Sequence, residues 1–196
     1  MRLSRSRPML TPAVRRSLRS ATVSQQHASS APRLFVDADR PAVAALQLES
    51  WVDTYGEQAD PQYIDALPEL VDSRWRSLTF GPREFVMVCD DATRLAGFVT
   101  VLDRSSHAWV DNMHVAPAAR RHGAGRALMA AAAQQMAFVG YDSMRLTVLE
   151  TNERARAFYA ALGGNEVGQY EVSFVGRQLQ AIELEWTTSR LLLQKP

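Results

Sequence analysis

The stretch from Trp109 to Met129, WVDNMHVAPAARRHGAGRALM, constrains the fold more than any other part of the chain. Trp109, Val110, Met113 and Val115 give an apolar, β-prone run, and Pro117 ends it because proline has no N–H to donate to a ladder. Arg120, Arg121, His122, Gly123, Ala124 and Gly125 then lead into Arg126, Ala127, Leu128, Met129 and an alanine run of high helix propensity. Glycines at the mouth of a helix let a ligand come close to the backbone, where the first N–H groups have no intrahelical acceptor. A strand, a glycine loop and a helix in immediate succession therefore make an anion socket.

Spacing narrows the anion. A Rossmann fingerprint needs a small residue where this chain has Leu128. A Walker A loop needs Gly-Lys-Ser/Thr, and Lys195 is the only lysine. The pattern present is Arg120-x-x-Gly123-x-Gly125, after a strand ending at Val115 and Pro117.

With 196 residues and 46% hydrophobic content, the chain can bury one ordinary core and is short for two domains. The formal charge of +1 hides an asymmetry: residues 1–32 hold six arginines and no acid, so the remainder carries about −5. A mildly acidic folded part argues against a nucleic-acid partner, which would call for a basic face. No apolar run approaches the roughly 20 residues of a membrane span, and no membrane partner is expected. The single cysteine, Cys89, excludes an internal disulfide framework and suits a reducing, cytoplasmic setting. At the end of an apolar run, it reads as a buried thiol rather than a nucleophile.

Residues 1–32, rich in Arg, Ser, Ala and Pro, read as a disordered tail: an inert extension, a basic arm for a partner, or an organelle transit peptide. Arg33 to Val36 suits a first strand. Asp37 or Asp39 can cap a helix with Pro41 in its first turn and with Ala44, Leu48, Trp51 and Tyr55 at helical spacing. A second helical segment runs from Pro61 through Leu67 and Leu70 toward Trp75. Glu84 to Cys89 and Leu95 to Leu102, around Asp90, Asp91 and Ala92, read as a hairpin. After the alanine-rich helix ends near Gly140, Met144 to Leu149 forms a strand. Val167 to Phe174 and Leu179 to Trp186 form a last hairpin, and residues 187–196 a frayed end.

A second motif spans Leu146, Val148, Asn152, Ala155, Phe158, Tyr159, Leu162 and Gly163. Asn152 suits a helix cap, the apolar residues share one helical face, and Gly163 suits a stop. The two motifs, in this order and separation, resemble the GNAT superfamily of N-acetyltransferases. The first is similar to its pyrophosphate-binding Gln/Arg-x-x-Gly-x-Gly/Ala signature, the second to its L-x-V-x-x-x-N-x-x-A-x-x-F/Y-Y-x-x-x-G-F segment. Gly164 departs from that pattern, where phenylalanine is common, and predicts weaker local packing. The resemblance covers roughly residues 33–186. It implies an α/β, more strictly α+β, GNAT fold: a mixed, mostly antiparallel sheet of six to seven strands, about four flanking helices, and splayed fourth and fifth strands.

The resemblance also implies acetyl-CoA as co-substrate, no metal, and a small-molecule or peptide amine as acceptor, with the protein a monomer or a homodimer. In the family the strand carrying Met113, His114 and Val115 bulges, and its exposed backbone meets the pantetheine arm, with a main-chain N–H near Met113 on the thioester oxygen. The diphosphate would lie against the amides of Arg121, His122, Gly123, Ala124, Gly125 and Arg126. Arg120, Arg121 and Arg126 are candidates for phosphate contact or plain solvated arginines. Asn152 resembles the residue that touches the pantetheine amide, besides serving as a cap. Tyr159 stands where the family places the general acid beside the coenzyme sulfur, and packing beside Phe158 is its bland role. Asp111 matches a position where some polyamine-type members carry a glutamate, so it is a base acting through water, a holder of a cationic acceptor, or a solvent-facing carboxylate. Trp51 and Tyr55, with Trp75, either pack the core or border the acceptor. The four histidines show no metal-ligand spacing.

Overall fold

Alternating and fully apolar runs build seven strands into one sheet, ordered β1-β2-β3-β4-β5-β7-β6. The computed structural model describes residues 30–174 and 176–192, without the side chain of Arg190; the basic tail of residues 1–29 lies outside them. Chain order begins with β1 (Arg33–Leu34), a short edge on β2 (Phe85–Asp90). Ahead of β1, Ser30 donates its N–H to the Asp90 carbonyl at 2.6 Å. β2 turns into β3 (Leu95–Asp103) where Asp91 accepts from the N–H groups of Thr93 and Arg94 at 2.7 and 2.9 Å. β4 (Ala108–Val115) continues the antiparallel meander. β5 (Ser143–Leu149) joins β4 in parallel, and β7 (Arg177–Thr187) lies between β5 and β6 (Asn165–Phe174).

Helices cover both faces. α1 (Arg40–Tyr55) and α2 (Pro61–Ser77) pack on one side, where Trp75 meets Phe98 edge-on at 5.5 Å. α3 (Ala124–Phe138) packs on the other, with Leu128 pressed against Gly97. Gly97 and Phe98 are adjacent in β3, so their sides alternate across the sheet. The stripe of α2 that turns inward is Leu67, Val71 and Trp75, whereas Leu70 stays 52% exposed. Asp60 caps α2 by accepting from the Gln62 N–H at 2.8 Å. At the head of α1, Asp39 instead accepts from Val36 N–H and the Arg33 guanidinium, so no aspartate side chain caps that helix.

α4 (Glu153–Ala161) starts at Asn152, whose Oδ1 accepts from the Ala155 N–H at 3.1 Å, and stops at Gly163 with φ +73°. Gly164 does not loosen the packing as its departure from the pattern suggested. A side chain there would meet Trp186 at 2.5 Å, because the indole fills the space, fully buried, and donates to the Leu162 carbonyl at 3.1 Å. Of the expected frayed end, residues 193–196 lie outside the described residues. Residues Thr188–Leu192 form α5, with Leu191 buried and Thr188 donating its N–H to the Asp142 carbonyl at 2.9 Å. Among the described residues, no helix is long and apolar enough to cross a membrane.

Candidate active site

The site is set by a failure of pairing. β4 and β5 are paired only at Ala108 with Met144 and Trp109 with Arg145. Beyond them the strands part, while β5 stays paired with β7 through Leu149. The facing backbones of residues 110–115 and 146–149 are thus not paired with each other, which opens a gap with hydrogen-bonding edges. A bulge in β4 starts the divergence: Val101 faces Val110 and Thr100 faces Asn112, leaving Asp111 as the extra residue.

That bulge upsets regular alternation. Asp111 accepts from Arg74 of α2 at 2.5 Å and from the Asn112 amide at 2.6 Å, so both neighbours serve the α2 side of the sheet. His114 stacks on Phe98 at 5.3 Å on that same side. Burial, with Arg120 adding its positive charge, pushes the His114 imidazole down to about 4. His114 is therefore a neutral packing group at neutral pH. Met113 points the other way, where its methyl lies near Gly125 and its sulfur accepts from the Tyr159 hydroxyl at 3.8 Å.

Tyr159 is buried between Phe158 and Trp186, with ring centroids at 5.2 and 5.7 Å. Burial, then the nearby Tyr55, raises its phenol above the usual tyrosine range. It stays protonated over the whole neutral range.

The glycine loop closes the far end of the gap. Arg121 and Gly123 both take left-handed φ, +66° and +89°, which turns the chain sharply into α3. A methyl at Gly123 would meet nothing within 4 Å, so the cradle is open there. Residues Ala124, Gly125 and Arg126 form the first helical turn, where backbone N–H groups have no intrahelical acceptor. Gly125 is required for contact: a side chain would press on Met113 and Phe158, each at 3.2 Å.

Arg120, considered for phosphate contact or as a plain solvated arginine, is engaged within the protein. Its guanidinium binds the Val115 carbonyl at 3.1 Å, Ser50 at 3.3 Å and the Asp53 carboxylate, tying the loop to α1. Arg120 and then Arg154 hold the Asp53 carboxyl below the usual range. Two residues before Arg154, Asn152 donates to the Tyr55 hydroxyl at 2.8 Å, so its side chain both caps α4 and bridges to α1. The Tyr55 phenol is raised, chiefly by burial.

The three aromatic residues offered for the acceptor do not stay together. Trp75 is 1% exposed, with its indole N–H on Gln47 at 2.6 Å, and belongs to the core. Trp51 and Tyr55 cluster instead with Tyr63 and with Phe174 from the last hairpin, at centroid distances of 5.0 to 5.6 Å. Arg74, Asp53, Tyr63 and Phe174 were not legible as site residues, since their partners lie far off in sequence. Cys89 is buried, and burial, with Asp90 and Asp91, pushes its thiol up to about 12. Among the described residues, no group of His, Cys, Asp and Glu is placed to hold a metal.

Comparison with known proteins agrees with this fold. The profile of the Acetyltransferase (GNAT) family matches residues 42–163. The chain is similar to YuaI, an uncharacterized N-acetyltransferase of Bacillus subtilis, at 26% identity over 150 residues, 74% of this chain and 85% of that protein. Its fold is similar to that of a GCN5-related N-acetyltransferase from Kribbella flavida, with TM-score 0.64 and 23% identity over 82% of this chain and 98% of that one. It is also similar to the PaiA N-acetyltransferase from Thermoplasma acidophilum, solved in complex with coenzyme A, with TM-score 0.61 and 18% identity over 82% and 99% of the two chains.

Proposed function

The chain belongs to the GNAT acetyltransferase family, and on that premise we propose that it moves an acetyl group from acetyl-CoA to a primary amine of a small molecule or peptide, by direct attack in a ternary complex. One observation carries the reading: the β4–β5 gap leads from the open glycine cradle to a buried phenol that already donates to a sulfur. Acetyl-CoA supplies the activated acetyl group as a thioester. The amides at the head of α3 face the diphosphate, supported by the helix dipole. The unpaired edge of β4 takes the pantetheine arm as an added strand would be taken. A backbone N–H near Met113 polarises the thioester carbonyl, a contribution of typically 10²- to 10³-fold.

The amine nitrogen attacks the carbonyl carbon and the carbon–sulfur bond breaks. Tyr159 gives its proton to the departing thiolate, an exchange in kind for the hydrogen bond it makes to Met113. The phenol is protonated at neutral pH and so has that proton to give. The proton lost by the amine passes to Asp111, directly or through water. Incubation of the purified chain with acetyl-CoA and a panel of amines, following free thiol, tests the proposal. Thiol release that depends on an amine supports it; coenzyme binding with no turnover on any amine favours a non-catalytic acetyl-CoA-binding module.

A further inference from the structure

On the acetyltransferase reading above, we propose that Tyr55 is a positioning residue for the transfer. Held by Asn152, it donates its hydroxyl hydrogen toward the Tyr159 oxygen, directly or through one water, and so passes a proton from the cleft between α1 and α4 to the buried acid.

The direction of the hydrogen bonds fixes which group has a proton to spare. Asn152 Oδ1 accepts from the Ala155 N–H at 3.1 Å, so the helix cap sets the amide with its Nδ2 turned away from α4. An amide nitrogen can only donate, and this one donates to the Tyr55 oxygen at 2.8 Å. The Tyr55 hydroxyl must then aim its own hydrogen elsewhere, and none of the described residues accepts it. Burial raises this phenol, so the hydrogen is in place at neutral pH. Trp51 and Phe174 hold the ring, with centroids 5.4 and 5.0 Å away.

At Tyr159 the position is reversed. Its hydroxyl donates to the Met113 sulfur at 3.8 Å, and none of the described residues donates to its oxygen. Tyr159 follows the Asn152 cap by about two turns, on the same side of α4. Side chains of a helix lean back toward its N-terminus, which carries the phenol toward the helix head, where Asn152 and Tyr55 meet. After burial, a charge on Tyr55 is the next cause that raises the Tyr159 phenol, so the two hydroxyls are neighbours. A donor without an acceptor thus stands beside an acceptor without a donor.

Tyr55 also reaches solvent where Tyr159 does not. With Asn152, Thr54, Gln58 and Thr151 it lines a cleft of about 230 Å³, whereas Tyr159 is buried behind it. When the carbon–sulfur bond breaks, the departing thiolate takes the Tyr159 proton and leaves a phenolate. A buried phenolate is costly unless it is hydrogen-bonded. Tyr55 supplies that bond, and its proton then crosses to the Tyr159 oxygen. Water in the cleft returns a proton to Tyr55, which balances the one lost by the amine.

Tyr55→Phe keeps the ring against Trp51 and Phe174 and removes only the hydroxyl. Amine-dependent thiol release is measured for the full chain, for Tyr55→Phe, for Tyr159→Phe and for the double variant. Tyr55→Phe should lower kcat about 10- to 100-fold, the range for losing a hydrogen bond to a charged group. KM for acetyl-CoA and for the amine should stay within about twofold, since the bond forms only as the thiolate leaves. In the Tyr159→Phe background the same change should lower kcat less than about twofold, because the relay then has nothing to feed. An unchanged kcat in Tyr55→Phe overturns the inference and leaves the acetyltransferase reading intact. So does an equal loss with and without Tyr159, which would mark a purely structural role. Absence of amine-dependent thiol release from the parent chain overturns both.

Discussion

The two sides of the β4–β5 gap are built from different materials. Toward α3 and α4 the groups offered to a ligand are main-chain apart from the Tyr159 phenol: a left-handed Gly123, the first amides of a helix, and the unpaired edge of a bulged strand. Toward α1 and α2 they are side chains already engaged with one another: Arg74 with Asp111, Asn152 with Tyr55, Arg120 with Asp53. Backbone geometry depends on where glycine and proline stand, so it survives wide sequence change. Paired side chains are set by each chain separately. The first side suits a co-substrate that a whole family shares, the second an acceptor that differs from member to member.

Tyr159 belongs to the first side, and its replacement gives the largest expected effect. Tyr159→Phe should lower kcat by about 10²- to 10⁴-fold, the range for a lost general acid, while calorimetry shows acetyl-CoA affinity within a few-fold of the parent. A variant with unchanged kcat breaks the assignment of the acid to that side.

His114 distinguishes the sides by pH. Its folded pKa, about 4, lies below the unfolded 6.5, so the unfolded chain binds the extra proton between those values. Stability attributable to the neutral ring is complete above about pH 6.5 and is lost as pH falls toward 4, up to roughly 3 kcal/mol. Urea midpoints from pH 7 to 4 should fall more steeply for the parent than for His114→Gln. Parallel pH profiles would mean that the α2 side does not hold a half-buried neutral histidine.

Gly164→Ala probes the packing beneath α4. The new methyl would overlap the buried Trp186 ring, a cost of about 1–3 kcal/mol, read as a lower melting temperature. An unchanged melting temperature would show that the indole has room to move. Asp53→Asn, at the seam between the sides, should cost less than about 1 kcal/mol, as expected for a partly exposed ion pair. Acetyl-CoA affinity should shift by no more than a few-fold; a large drop would show that the loop depends on α1 for its shape.

The same contrast explains what the sequence made legible. Strands and helices followed from periodicity, and Asn152 and Gly163 from the chemistry of helix ends. The glycine cradle was readable because left-handed φ and close approach restrict the residue type. The Arg74–Asp111 pair joins residues 37 apart, and the Asn152–Tyr55 bond residues 97 apart, so no local pattern announces either. Trp75 sits on a helical stripe that suits core and pocket equally, and only the depth of burial separates them. Trp186 replaces a ring missing at Gly164 from 22 residues further on, a compensation that a motif read position by position does not reveal. Arg120 fits the phosphate signature by position and is spent on Asp53, Ser50 and the Val115 carbonyl.

Amide hydrogen exchange of the full chain with and without acetyl-CoA tests the central claim most directly. Bound coenzyme should slow exchange in two segments, residues 121–126 at the head of α3 and residues 110–115 along the open edge of β4, with little change on α2. Slowing confined to α1 and α2, or none at the glycine loop despite saturating coenzyme, would contradict a main-chain cradle leading into the β4–β5 gap.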